Sequence, residues 1–190
     1  MSKEKLIAEI AEDQIHYVIY EQDENLQHKV LAKKIFLNSG IKKGKILDFE
    51  YASKKIKKDL ETLEKETNLI FKNVSVIINE SDILSTNLSG FKKLNGSKVE
   101  KRDLDYILNE GKSAILRNQS QNSILHILNS NFFLDRRKKN KIPLNLHGDH
   151  LGLHMTFISL PKNNLKNIRA LFNKNDLKID RIICKPLACG

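Results

Sequence analysis

The chain has 190 residues, of which 40% are hydrophobic and 29% charged, and a formal net charge of +10. That length holds one substantial domain or two small ones and buries roughly 70% of the unfolded surface, while the composition excludes a disordered or fibrous protein. No window reaches the length of a membrane span, and the opening MSKEKLIAEIAEDQ lacks the apolar stretch and cleavage site of a signal peptide.

Three apolar stretches come first: LIAEI, IHYVIYE and VLAKKIFL. Ile15, Tyr17 and Ile19 alternate onto one face, so the three predict a stranded meander. NSGIKKGK breaks the pattern with two glycines. Asp48 then offers an N-cap, and Ala52, Ile56, Leu60 and Leu63 recur at helical spacing as one apolar stripe. NVSVIIN (73–79) is rich in β-branched residues and predicts a buried strand. The first eighty residues therefore read β-β-β-α-β.

The next segment has a different rhythm. ILSTNLSGFKKL is strand-like, and SKVE (97–100) fits a capping box in which Ser97 and Glu100 would start a helix. Leu104, Ile107 and Leu108 carry that helix to about Leu116. NSILHILNSNFFLD and LGLHMTFISL predict two further strands. After Pro161, Leu165, Ile168, Leu171 and Phe172 line one side of an amphipathic helix, and KIDRIIC predicts a last strand. This helix and strand need a sheet to pack on, and the nearest is the N-terminal one. Residues 81–161 thus read as a strand–helix–strand–strand insertion between a first part, 1–80, and its return, 162–190.

Candidate chemistry is sparse. LNLHGDHLGLHM (144–155) holds His147, Asp149, His150 and His154. On a strand, His150 and His154 share a face but lie roughly 13 Å apart, too far to ligate one ion, with His147 at or before the turn. A packed or solvated turn is expected, with no metal. His126, inside a strand, is expected to be a satisfied core or edge histidine. Ser113 follows NEGK without the upstream glycine of a P-loop. Cys184 and Cys189 lack the second pair of a zinc site and read as reduced structural thiols, which suits a cytoplasmic protein. The basic residues are scattered without interleaved aromatics, and Lys, Asn and Ile abound throughout, so nucleic acid is not the expected partner. Only Arg136, Arg137, Lys138 and Lys139 are compact. A solvated loop is expected there, and these four residues are the candidate interaction site.

SGIKKGKILDFE (39–50), LHILNSNFFLD (125–135), IPLNLHGDHLGLHM (142–155) and LKNIRALFNKNDLKIDRIICKPLA (165–188) resemble, in order and spacing, segments of the bacterial cell-division protein FtsA, an actin-like family. The first is similar to its Gly-x-x-x-Gly-x-x-x-Asp turn into a helix. The others are similar to its His-x-x-Pro-x-x-Tyr-x-x-Asp strand, its Asp-Pro-x-Gly-Met-x-Gly-x-x-Leu segment and its returning helix and strand. The resemblance implies an α/β fold: an actin/ribonuclease-H-like mixed sheet with helices (subdomain 1A) interrupted by an inserted α+β subdomain (1C). Asn129 and Asn145 stand where the family has proline and glycine. At the family's Asp-x-Gly-Thr phosphate loop this chain has Glu9, Ala11 and Glu12, followed by Asp13, with no glycine to let backbone amides approach an anion.

The resemblance therefore implies a non-enzymatic scaffold with no cofactor, where intact family members take ATP. It would act by self-association and by recruiting division proteins through 1C, namely an FtsZ-like filament and late-arriving components, at the inner face of the cell membrane. The alternatives are a piece of an actin-like ATPase that needs a second lobe, a related pilus-assembly actin homologue, and a basic adaptor for nucleic acid or anionic lipid.

Overall fold

The computed structural model describes residues 3–23 and 27–189. In chain order the elements are β1 (Lys3–Ala11), β2 (Gln14–Gln22), β3 (His28–Leu37), β4 (Ile41–Lys42), β5 (Lys45–Ile46), α1 (Phe49–Thr67) and β6 (Asn73–Ile78). Then follow β7 (Leu84–Lys93), α2 (Lys101–Asn118), β8 (Asn122–Leu134), β9 (Arg137–Lys139) and β10 (His150–Pro161). The chain closes with α3 (Lys162–Asn173), β11 (Lys178–Cys184) and α4 (Lys185–Cys189). Two compact units result, one from residues 1–82 and 163–190 and one from residues 83–162.

The discontinuous unit is a five-stranded sheet in the order β11-β6-β1-β2-β3. β1, β2 and β3 are antiparallel neighbours, whereas β6 runs parallel to β1 and β11 parallel to β6. This is the mixed actin/ribonuclease-H-like sheet that the resemblance implies. The alternation read in the sequence is the reason for its core. Leu6, Ala8 and Ile10 face the same way as Ile15, Tyr17 and Ile19, and all are buried together with Val74, Val76 and Ile78. Each fully buried Ile, Leu or Phe contributes roughly 1.5–3 kcal/mol. α1 opens as expected, with the Tyr51 amide donating to the Asp48 carboxylate at 2.9 Å, and it buries Ala52, Ile56, Leu60 and Leu63. α3 buries Ile168, Leu171 and Phe172. The end of α3 reaches the start of α1, where Asn175 donates to Ser53 Oγ at 3.2 Å and Lys174 pairs with Glu50 at 2.6 Å.

The glycines before α1 have a steric cause. A Cβ on Gly40 would lie 2.6 Å from the Asp48 carbonyl oxygen and 2.7 Å from the Ala52 nitrogen. Gly44 sits at φ +75° beside Asn79. Between them β4 and β5 pair as a short hairpin that the broken apolar pattern did not announce.

The second unit is a four-stranded sheet in the order β7-β10-β8-β9 with α2 across one face. Val99, Leu104, Ile107, Leu153, Met155 and Phe157 are buried between them. Two expectations are corrected here. The capping box is built three residues later than SKVE: the cap is Glu100, whose amide donates to Asp103 Oδ2 at 2.7 Å, because Ser97 is held in the preceding turn by its own amide to the Leu94 carbonyl. The basic run is not a loop. Arg137–Lys139 form β9, paired with Leu134–Phe132 through a two-residue turn in which Asp135 (φ 50°) and Arg136 (φ 65°) are both left-handed. Such a turn usually carries Asn-Gly, so its sequence signal was weak. The expected strand–helix–strand–strand insertion thus contains one further short strand.

Candidate interaction surface

Folding disperses the histidine-rich stretch. His147 precedes β10, where its Nδ1 lies 2.9 Å from the Gly96 carbonyl oxygen, so the ring must carry its proton on that nitrogen. Gly148 exchanges backbone bonds with Gly96 and Ser97 at 3.1 and 3.3 Å. Asp135 Oδ1 accepts the Asp149 and His150 amides at 2.8 and 2.9 Å, and these two bonds hold its carboxyl below the usual carboxylate range. His150 and His154 share one exposed face of β10, with the His154 ring tilted on Phe133 at 4.5 Å between centroids. Asn145 has φ 63°, which is why an asparagine serves where the family has glycine. Asn129 flanks the register shift between β8 and β10. Burial pushes the half-buried His126 imidazole toward its neutral form. Among the described residues no group of three His, Cys, Asp or Glu side chains is placed to hold a metal ion. Gly111, in the NEGKS stretch, lies within α2, where a Cβ would come 3.0 Å from Met155 and Phe157. It is therefore a packing glycine.

The positions matching a phosphate loop lie at the β1–β2 turn. Glu9 pairs across the sheet with His16, Nδ1 to Oε2 at 3.3 Å, and its Oε1 is 2.6 Å from Lys185 Nζ at the start of α4. Glu9 in turn raises the Lys185 ammonium above its ordinary value. Ala11 is buried at the end of β1, and Glu12 turns the chain at φ 39°. The carbonyls of Glu12 and Asp13 accept the Gly44 and Asn38 amides at 3.2 and 2.7 Å. Glu12 and Asp13 are exposed in this turn and follow Glu9 with two further carboxylates. Of the two cysteines only Cys184 is buried; Cys189 is exposed, so the expectation of two structural thiols holds for one.

An open surface lies on the face of the β7-β10-β8-β9 sheet opposite α2. Gly152 pairs with Phe91 on one side and Phe133 on the other, and Phe133 pairs with Lys138. Directly opposed residues share a face, so Phe91, Gly152, Phe133 and Lys138 form one row across all four strands. Phe91 is 74% exposed. A groove of about 560 Å³ follows this row, lined also by His150, His154 and Arg136. The four basic residues are divided by the strand: Lys138 shares the groove face and Arg136 lines the groove, whereas Arg137 and Lys139 pair with the inward Leu134 and Phe132. The aromatic row was hidden in the sequence because its members are far apart. The one available signal was the doublet Phe132–Phe133, since adjacent residues on a strand face opposite ways and both cannot be core.

Residues 81–159 match the family of the SHS2 domain inserted in FtsA. The chain is 25% identical over 84% of its length to a cell division protein FtsA of Buchnera aphidicola (subsp. Schizaphis graminum), covering 38% of that protein. It is 26% identical over 80% of its length to FtsA of Agrobacterium fabrum, covering 34%, and 20% identical over 99% of its length to FtsA of Borreliella burgdorferi, covering 46%. The chain thus spans less than half the length of these curated relatives. A chain of a PilM–PilN type IV pilus biogenesis complex shares the fold, with a TM-score of 0.64 at 10% identity over 97% of this chain and 48% of that one. No helix among the described residues is long and apolar enough to cross a membrane. The chain is thus similar to FtsA along its length, and its residues 81–159 match the SHS2 domain inserted in FtsA.

Proposed function

We propose that this chain is a cell-division scaffold that works by protein–protein contact through the unit of residues 83–162, without nucleotide chemistry of its own. The observation that carries the reading is the open sheet face with its aromatic row, which lies in the part of the chain that matches the FtsA insertion. A folded sheet that leaves a phenylalanine 74% exposed is suited to covering by a partner. The partners in this reading are an FtsZ-like filament, later-arriving division proteins and further copies of the chain, at the inner face of the cell membrane. The arrangement at Glu9 supports the absence of ATP chemistry, because its carboxylate already pairs with His16 and Lys185 and two more carboxylates follow. The pilus-assembly reading draws on the fold alone.

The test is in-cell photo-crosslinking from Ser89, on the groove, and from the exposed Glu61 on α1, together with calorimetry of the purified chain against Mg-ATP. Identified division proteins captured from Ser89 and no heat with Mg-ATP are expected. Capture of pilus-assembly proteins instead, or micromolar Mg-ATP binding, overturns the reading.

A further inference from the structure

The charge of the chain is unevenly shared. Residues 83–162 contain thirteen Lys and Arg against six Asp and Glu, a surplus of +7, and the other unit holds only the remaining +3 of the net +10. On the open sheet face the bias is stronger. Its outward positions are Ser85, Asn87, Ser89, Phe91 and Lys93 on β7, and His150, Gly152, His154, Thr156 and Ile158 on β10. β8 adds His126, Leu128, Asn131 and Phe133, and β9 adds Lys138. None is a carboxylate. The two acids at the end of the face, Asp135 and Asp149, lie in turns, and Asp135 is occupied by two backbone amides. The cations Lys93, Arg136 and Lys138 all gather at the end where Phe91 and Phe133 flank Gly152. Strands two apart in a sheet are about 9.6 Å from each other, so the space over Gly152 between the two rings admits one flat side chain.

We propose that this groove binds a short acidic protein segment with one aromatic side chain. The aromatic ring enters between Phe91 and Phe133 over Gly152, and flanking carboxylates meet Lys93, Arg136 and Lys138. The inference rests on the scaffold reading above and names the face and the chemistry of its partner. Charge complementarity selects the occupant. A second copy of the same face would bring like charges together. A nucleic acid strand needs cations along its path, and beyond the His154 row the face is neutral, with Asn87, Thr156 and Leu128 in line.

The experiment is fluorescence anisotropy on the full chain with four labelled probes. These are a twelve-residue Asp/Glu peptide with one central phenylalanine, the same peptide with alanine for phenylalanine, a serine version without acids, and a twelve-nucleotide oligothymidylate. The acidic phenylalanine peptide is expected to bind, and each peptide control to bind about tenfold more weakly. Phe91→Ala and the pair Arg136→Glu/Lys138→Glu are each expected to weaken binding about tenfold with unchanged circular dichroism. Equal binding of the peptides, no binding, tighter binding of oligothymidylate, or indifference to both variants overturns the proposal. If these variants still capture division proteins in cells, the groove assignment fails while the scaffold reading stands.

Discussion

The two units are built from the same parts, helix over sheet, yet they treat charge in opposite ways. The discontinuous unit draws carboxylates inward. Asp59 is 1% exposed, where burial raises its carboxyl against the opposing hydrogen bond from Lys55, and burial likewise raises Glu80, which accepts from Asn164. Tyr17 OH is buried without a hydrogen-bond partner, and burial together with the nearby Asp59 charge raises its phenol further. The unit of residues 83–162 has one buried carboxylate, Asp103, and there burial is outweighed by Lys92 at 2.7 Å and the Glu100 amide, so the group is held below its usual range. The first unit leaves Asp59 Oδ2 and Glu80 Oε2 buried without a hydrogen-bond partner although each acid has one partner on its other oxygen, whereas Asp103 in the second has partners on both oxygens.

The largest test of that division is to replace residues 83–162 by a short Gly/Ser linker. The discontinuous unit has its own core in Leu6, Tyr17, Ile56 and Phe172, so the shortened chain is expected to unfold cooperatively in thermal circular dichroism. A molten product would mean that the two units share one core.

Next in size is the contrast between the buried acids. Asp103→Ala removes an ion pair and a helix cap and is expected to cost about 2–3 kcal/mol. Asp59→Asn is expected to be neutral or stabilising at pH 7, because the fold disfavours the charged form. The pH dependence follows from the same shifts. Asp59 and Glu80, raised, contribute stability that is present below their unfolded values and lost as pH rises through their folded ones; Asp103, lowered, contributes stability present above its unfolded value and lost as pH falls through the folded one. As pH falls toward the ordinary carboxylate range, the urea midpoint of the parent should therefore improve relative to that of Asp59→Asn, a difference in which the opposing acid loss at His126, whose imidazole is pushed toward neutral, cancels. If both acids respond alike, the comparison breaks.

The smallest effect is at the β8–β9 turn. Arg136 holds φ 65°, so Arg136→Gly is expected to stabilise the chain by about 0.5 kcal/mol in thermal unfolding even as it removes a groove cation. A gain in stability with a loss of binding would separate the two roles of this residue.

The sequence made the sheet of the discontinuous unit legible because alternation and helical spacing are local signals: Ile15, Tyr17 and Ile19 announce a face, and Ala52, Ile56, Leu60 and Leu63 a stripe. What stayed hidden depended on non-local pairing or unusual turn chemistry. The Asp135–Arg136 turn lacks the Asn-Gly signature, so β9 looked like a loop. The capping box moved because Ser97 is committed to a turn whose partners, Leu94 and Gly148, no local pattern reveals. The groove needed Phe91, Phe133 and Gly152 to meet across three strands, a juxtaposition that only the register creates.

The most direct measurement is the position of fluorescent fusions in dividing cells. The fusions compared are the parent chain, Arg136→Glu/Lys138→Glu on the groove, and Lys54→Glu/Lys57→Glu on the exposed side of α1. The account predicts septal signal for the parent and the α1 variant and its loss for the groove variant. Retention by the groove variant with loss by the α1 variant would contradict it.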